Sequence, residues 1–191
     1  MLRLKRPSRE QIESFLRKQQ NSAPSYDDIG ASRETRAPHG YTVDHNHIQL
    51  GRGLVAWEAA KSAVCEWKMF DIPWLQLCFS NAPIREGQNV AIVISHFGFW
   101  SLNASRIIYV IDEPRRFGFA YGTLREHAES GEERFLVEWR EDDSVWYDLF
   151  AFSRPNAAMA KVFHPFARHL QKSFARDSKS AMRSAVARQM A

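Results

Sequence analysis

The chain has 191 residues, 45% of them apolar and 13% aromatic, with a net charge of +4. That length fits one domain with decorations, and that composition can build a full core. No apolar run approaches the roughly 18 residues of a membrane span, and residues 1–7 lack the apolar stretch of a signal peptide. The two cysteines, Cys65 and Cys78, make no disulfide framework, so a cytoplasmic location with inert buried thiols is expected.

Ser8-Arg9-Glu10-Gln11 has the form of a capping box, and Ile12, Phe15 and Leu16 supply a short apolar stripe, so a helix is predicted from Ser8 to about Gln20. Residues 21–36 hold Pro24, Gly30 and many polar groups and read as a loop wrapping the domain. Residues 41–50 alternate as a strand, broken by Gly51 and Gly53, and Leu54, Trp57, Ala60, Val64 and Trp67 then have helical spacing. Strands are predicted at 69–79, 89–96, 106–111, 116–124, 132–139 and 145–152, with Glu141-Asp142-Asp143 as a charged hairpin turn. Pro155 ends the sheet. Beyond it Phe163, Phe166, Leu170, Phe174, Ala181 and Ala185 recur at three- and four-residue steps, with Pro165 as a kink or start point. Phe166, Leu170 and Phe174 are expected to be buried against the sheet.

From Arg154 onward 8 basic residues stand against 1 acid, whereas the remainder holds 18 basic and 21 acidic residues. The basic character therefore belongs to the C-terminal helix and reads first as its solvated face. It leaves room for a weak membrane-surface contact or an acidic partner, and implies no specific nucleic acid.

The element order is helix, strand, helix, long antiparallel meander, long C-terminal helix. The predicted fold is α+β: a helix-grip fold, a curved antiparallel sheet wrapped around the C-terminal helix, with an extra N-terminal helix. Residues 1–40 form the helix and wrapping loop, and residues 41–191 the single domain.

Four blocks occur in chain order. The first is Ser95-His96-Phe97-Gly98-Phe99-Trp100-Ser101-Leu102-Asn103 with Arg106-Ile107-Ile108-Tyr109-Val110. The second is Arg116-Phe117-Gly118-Phe119-Ala120-Tyr121-Gly122-Thr123-Leu124 with His127 and Gly131-Glu132-Glu133. The third is Ala151-Phe152-Ser153-Arg154-Pro155, and the fourth is Gln171 with Phe174-Ala175-Arg176-Asp177-Ser178. Together they resemble the DUF1990 (UPF0548) family over about residues 41–182. That family is similar to the START and Bet v 1-like helix-grip superfamily of lipid-transfer, plant-allergen and polyketide-cyclase domains. The resemblance implies the fold and carries no catalytic residue onto these positions.

Strand polarity selects candidate site residues. With Arg106, Glu132, Arg134, Glu138 and Asp148 outward, the alternate residues face inward. Tyr109, Tyr121, Glu133 and Tyr147 then converge on one cavity, where a desolvated Glu133 has a raised pKa. Phe117, Phe119 and Tyr121 share the large face of their strand. Gly118, Ala120 and Gly122 form a nearly bare face, which a packed helix or a ligand can approach. His96 and Trp100 flank an aromatic turn read as a rim, and Arg154 stands at the corner into the last helix as a candidate for a phosphate or carboxylate. His45 and His47 share one strand face, but no third ligand is marked by spacing, so no metal and no cofactor are expected. No phosphate-binding loop, nucleophile elbow or dinucleotide fingerprint is present.

Three functions fit. The first is a module binding a small apolar ligand, a lipid or aromatic metabolite, between sheet and helix. The second is a cyclase or hydrolase using Glu133 or His96 as acid or base. The third is an interaction protein using its basic C-terminal helix.

Overall fold

The Ser8 hydroxyl accepts from the Gln11 N–H and the Gln11 side chain accepts from the Ser8 N–H, so the capping box closes and starts α1 (Arg9–Gln19). The computed structural model describes residues 2–78, 83–96, 98–156 and 160–190, with residues 2, 96 and 160–166 described by backbone only. The Phe163, Pro165 and Phe166 expectations concern side chains outside the described residues.

Eight strands form one antiparallel sheet: β1 (Leu2–Arg3), β2 (Thr42–Arg52), β3 (Leu75–Cys78), β4 (Asn89–His96), β5 (Phe99–Glu113), β6 (Arg116–Thr123), β7 (Glu129–Trp139) and β8 (Ser144–Pro155). Their order is β2-β8-β7-β6-β5-β4-β3, with β1 pairing the start of β5. Helix α2 (Gly53–Cys65) follows β2, and α3 (Ala160–Met190) follows the sheet. The fold is the helix-grip arrangement, with a curved sheet holding a long C-terminal helix.

Alternation in each strand builds the concave core. Ile107, Phe119, Phe135, Val137, Val145, Tyr147 and Leu149 are all buried there, together with Ala175, Met182, Ala185 and Val186 of α3. The α3 residues recur at steps of seven, three and four residues and lay one apolar stripe on the sheet. Leu170 and Phe174, expected deep inside, are half-buried. Helix α2 buries Ala56, Ala59, Ala60 and Ala63, and these small side chains let it approach α3 and the sheet closely.

Two predicted boundaries move. Residues 68–70 form a 3-10 turn rather than the start of a strand, and pairing begins only at Leu75. Trp67 adopts a left-handed backbone (φ 58°) that stops α2, and Pro73 has no N–H to give a ladder. Phe99 to Asn103 belong to β5 rather than to a long aromatic turn, because His96 already pairs with Phe99.

The convex face is covered as well. Ile12 and Phe15 of α1 pack on Ala91, Val93, Leu102, Ala104 and Leu124. Residues 24–36 form a strap over β6, β7 and β8, bridged to the sheet at Pro24 and Leu124 and carrying the 3-10 turn Ala31–Glu34. The bare face of β6 has its explanation here. A Cβ on Gly122 would meet the Tyr26 hydroxyl, and one on Gly118 would meet the backbone of Phe135. What approaches is the strap and the neighbouring strand, not the packed helix or ligand that the pattern suggested.

Candidate functional site

One cross-strand row crosses the concave wall. Ile107 pairs with Tyr121, Tyr121 with Glu133, Glu133 with Ala151, and Ala151 with Asp44. Directly opposite residues on one face have Cβ atoms about 5 Å apart, so their side chains meet. The Tyr121 hydroxyl donates to Glu133 Oε2 at 2.7 Å. Ala151, the residue between Glu133 and Asp44 in the row, contributes only a methyl group. One layer along, the Tyr147 hydroxyl and Ser178 Oγ of α3 share a hydrogen bond of 2.9 Å.

Asp44 is taken by α3: Arg168 donates to its two oxygens at 2.5 and 2.9 Å. Arg168 also donates to Gln171 Oε1, and Gln171 Nε2 donates to Ser153 Oγ at 2.9 Å. Aromatic rings fill the neighbouring layer. Tyr121 lies 5.2 Å from Phe135 and 6.1 Å from Phe70, and Phe174 lies 5.7 Å from Phe70.

Burial dominates the electrostatics of this row. It pushes the Glu133 carboxyl up to about 7, against a smaller downward pull from the Tyr121 hydroxyl and with a further push from Asp44. Burial and then the Glu133 charge hold Tyr121 well above its ordinary value. Glu133 is nonetheless only half-buried by area. A carboxyl of this kind exists in both protonation states near neutrality and can donate, accept, or carry charge.

Of the candidate residues, the concave face brings together Tyr121, Glu133 and Tyr147. It does not bring Tyr109, Trp100 or Arg154. In the β5–β6 ladder, Ile107 pairs with Tyr121 but Tyr109 pairs with Ala120, so Ile108 is an extra residue that reverses the rest of β5. Tyr109 therefore lies on the convex face, where its hydroxyl bonds Ser32 Oγ at 2.6 Å and Arg33 stacks on its ring. Trp100 packs with the α1 layer, under Arg6. Arg154 is exposed and stacks over Tyr41, 4.7 Å from its ring centre. Among the described residues its side chain makes no hydrogen bond or ion pair, and the stacking on Tyr41 is its one close side-chain contact of this kind. The His96 side chain lies outside the described residues.

The residues assigned to a wet outer face are not all wet. Glu132, Arg134 and Asp148 are buried beneath the strap. Glu132 accepts from the Tyr26 hydroxyl at 2.7 Å, from the Gly30 and Ser32 N–H groups at 2.8 and 3.1 Å, and from the Ser32 hydroxyl. Arg134 donates to the Ser32 carbonyl at 2.8 Å and to Asp148 at 2.7 Å, and Asp148 meets His45 at 2.6 Å. This network ties strap to sheet. His45 is thereby engaged by a carboxylate, and among the described residues no group of three or more metal-ligating side chains occurs.

Asp44, Arg168, Gln171 and Ser178 were not singled out from the sequence. The signal for Asp44 was available, since it lies on the strand face opposite His45 and His47. The other three sit on a helix face whose orientation only packing sets. Part of the basic α3 face is used inside the chain: Arg168 on Asp44, Arg176 on Asp177, and Lys179 on Asn46.

A family model described as Domain of unknown function (DUF1990) matches residues 25–181. A UPF0548 protein of Deinococcus radiodurans is 35% identical, over 92% of this chain and 94% of that one. Among solved structures, the Zhui aromatase/cyclase from Streptomyces sp. R1128 matches with a TM-score of 0.55 and 11% identity, over 79% of this chain and 96% of that one. A START superfamily protein from Mycobacterium smegmatis matches with a TM-score of 0.51 and 11% identity, over 78% and 99%. Among the described residues no helix is long and apolar enough to cross a membrane.

Proposed function

We propose that this chain, which belongs to the DUF1990 family, binds a small apolar ligand between the concave face of its sheet and α3, with Glu133 and Tyr121 as the polar anchor. The observation that carries the reading is Glu133 itself: a half-buried carboxyl, hydrogen-bonded to one phenol, beside a cluster of aromatic and aliphatic groups on the concave wall. A mostly apolar lining with a few convergent polar groups is the general form of a small-molecule site. The likeness to an aromatase/cyclase and to a START protein supports the reading through the shared fold alone.

A second reading, proton transfer by Glu133 during a cyclisation or hydrolysis, draws on the same group. A carboxyl with a pKa of about 7 sits where an acid–base catalyst works best at neutral pH. Tyr121 would then orient the carboxyl through its hydrogen bond to Oε2.

Native mass spectrometry of the purified protein tests for a retained small molecule. Fluorescence titration with Nile red, an uncharged apolar dye, then tests the place. Ala151→Leu fills the row beside Glu133 and should weaken the dye by about tenfold or more, whereas Lys172→Ala on the exposed face of α3 should leave it unchanged. Equal dye binding by wild type and a folded Ala151→Leu, with nothing retained in the mass spectrum, sinks the reading.

A further inference from the structure

We infer that the ligand's polar group is a cationic amine: an apolar body carrying a protonated ammonium, held by the Glu133 carboxylate beside the aromatic cluster of Phe70, Tyr121, Phe135 and Phe174. The inference rests on the binding reading above and specifies its chemistry.

Three observations converge. Among the described residues, the Tyr121 hydroxyl is the sole hydrogen-bond partner of Glu133, and it takes only Oε2. The cations of α3 that reach the concave wall are committed elsewhere, Arg168 to both oxygens of Asp44 and Lys179 to Asn46. Among the described residues the carboxyl thus has no ion-pair partner, and a buried carboxylate without a countercharge is costly. Third, the neighbouring layer is aromatic: Phe135 is two residues along the same strand face, and Tyr121, Phe70 and Phe174 contact it or one another. Ring faces attract ammonium groups and a carboxylate pairs with them, so the combination selects a cation. A ligand carboxylate would instead be set against the Glu133 charge, since Arg168 is already spent on Asp44.

Among the described residues, the titratable groups around Glu133 are Tyr121 from β6, Tyr147 from β8 and Asp44 from β2, the last ion-paired with Arg168 of α3. Tyr121 and Tyr147 stay neutral well above pH 8, and Arg168 stays charged. The Glu133 carboxyl ionises near pH 7. Ammonium binding requires the ionised form, so binding below that pH must first expel a proton.

Isothermal titration calorimetry with three chain-matched probes, octylamine, 1-octanol and octanoate, tests the assignment. At pH 8 octylamine should bind about tenfold or more tightly than 1-octanol, with octanoate weakest. Lowering the pH to 6 should weaken octylamine about tenfold and leave 1-octanol unchanged, following the ionised fraction of Glu133. Glu133→Gln should bring octylamine down to the alcohol. If 1-octanol binds and octylamine is no tighter at pH 8, the amine assignment falls and the apolar-binding reading stands. If none of the three binds saturably, both fall. The wild-type ranking alone decides between these outcomes should the variant not fold.

Discussion

Glu133→Gln should make the protein more stable at pH 8 and leave it nearly unchanged at pH 4. A carboxyl raised from 4.5 to about 7 in the folded chain favours the protonated form there. Below the unfolded value both states are protonated and the group contributes nothing. Between the two values the unfolded chain ionises first, binds fewer protons, and gains stability relative to the folded one. Folded stability therefore falls as pH rises from about 4.5 to 7 and stays reduced above it. At about 1.4 kcal/mol per unit, the full penalty is about 3 kcal/mol. Glutamine has the same shape and still accepts from the Tyr121 hydroxyl, so it removes the ionisation without removing the hydrogen bond. Urea denaturation of wild type and variant at pH 4 and pH 8 isolates the effect, because every other titrating group cancels in the double difference. The variant should gain about 3 kcal/mol between the two pH values, or roughly 6–12 °C in melting temperature for a chain of this size. A double difference indistinguishable from zero would show that the carboxyl is hydrated and unperturbed, and would remove the polar anchor from both functional readings.

Three further outcomes follow from the packing. Glu132→Ala strands the Tyr26 hydroxyl and the Gly30 and Ser32 N–H groups, and should cost about 3 kcal/mol or more in urea denaturation, with proteolysis newly admitted in the strap. Met182→Ala empties a fully buried position where α3 meets the sheet, and should cost about 2–5 kcal/mol by the same measurement. Gly122→Ala drives a methyl into the Tyr26 hydroxyl and should cost about 1–3 kcal/mol, and combining it with Tyr26→Ala should recover part of that loss, which a double-mutant cycle reads directly.

Much of the architecture was legible because it rests on local pattern. The capping box at Ser8 and Gln11, the alternation in β6, β7 and β8, and the apolar stripe of α3 each express a period of one element. Tyr121, Glu133 and Tyr147 were placed on one face by that period alone, since β6, β7 and β8 pair in unbroken register at those positions. Tyr109 was misplaced because one extra residue at Ile108 reverses the remainder of β5, and no composition signal marks such a bulge. The α3 partners of the site, Arg168 and Ser178, depend on the rotation and depth at which a helix docks, which no single element encodes.

The sequence by itself determined the succession of elements, the antiparallel meander and the helix it grips, since periodicity and turn chemistry act over a few residues. It also determined that one carboxyl, Glu133, shares a strand face with apolar neighbours. Tertiary structure alone decided which polar residues meet water. Glu132, Arg134 and Asp148 have the pattern of an outer face, yet a strap some 100 residues away in sequence covers them and bonds Glu132 and Arg134 directly, while Asp148 pairs with Arg134 and His45. It alone decided, too, that Arg168 is paired to Asp44 while Glu133, among the described residues, has no ion-pair partner. Both are contacts between distant segments, and the energy of a buried charge depends on what surrounds it in space rather than on what precedes it in the chain.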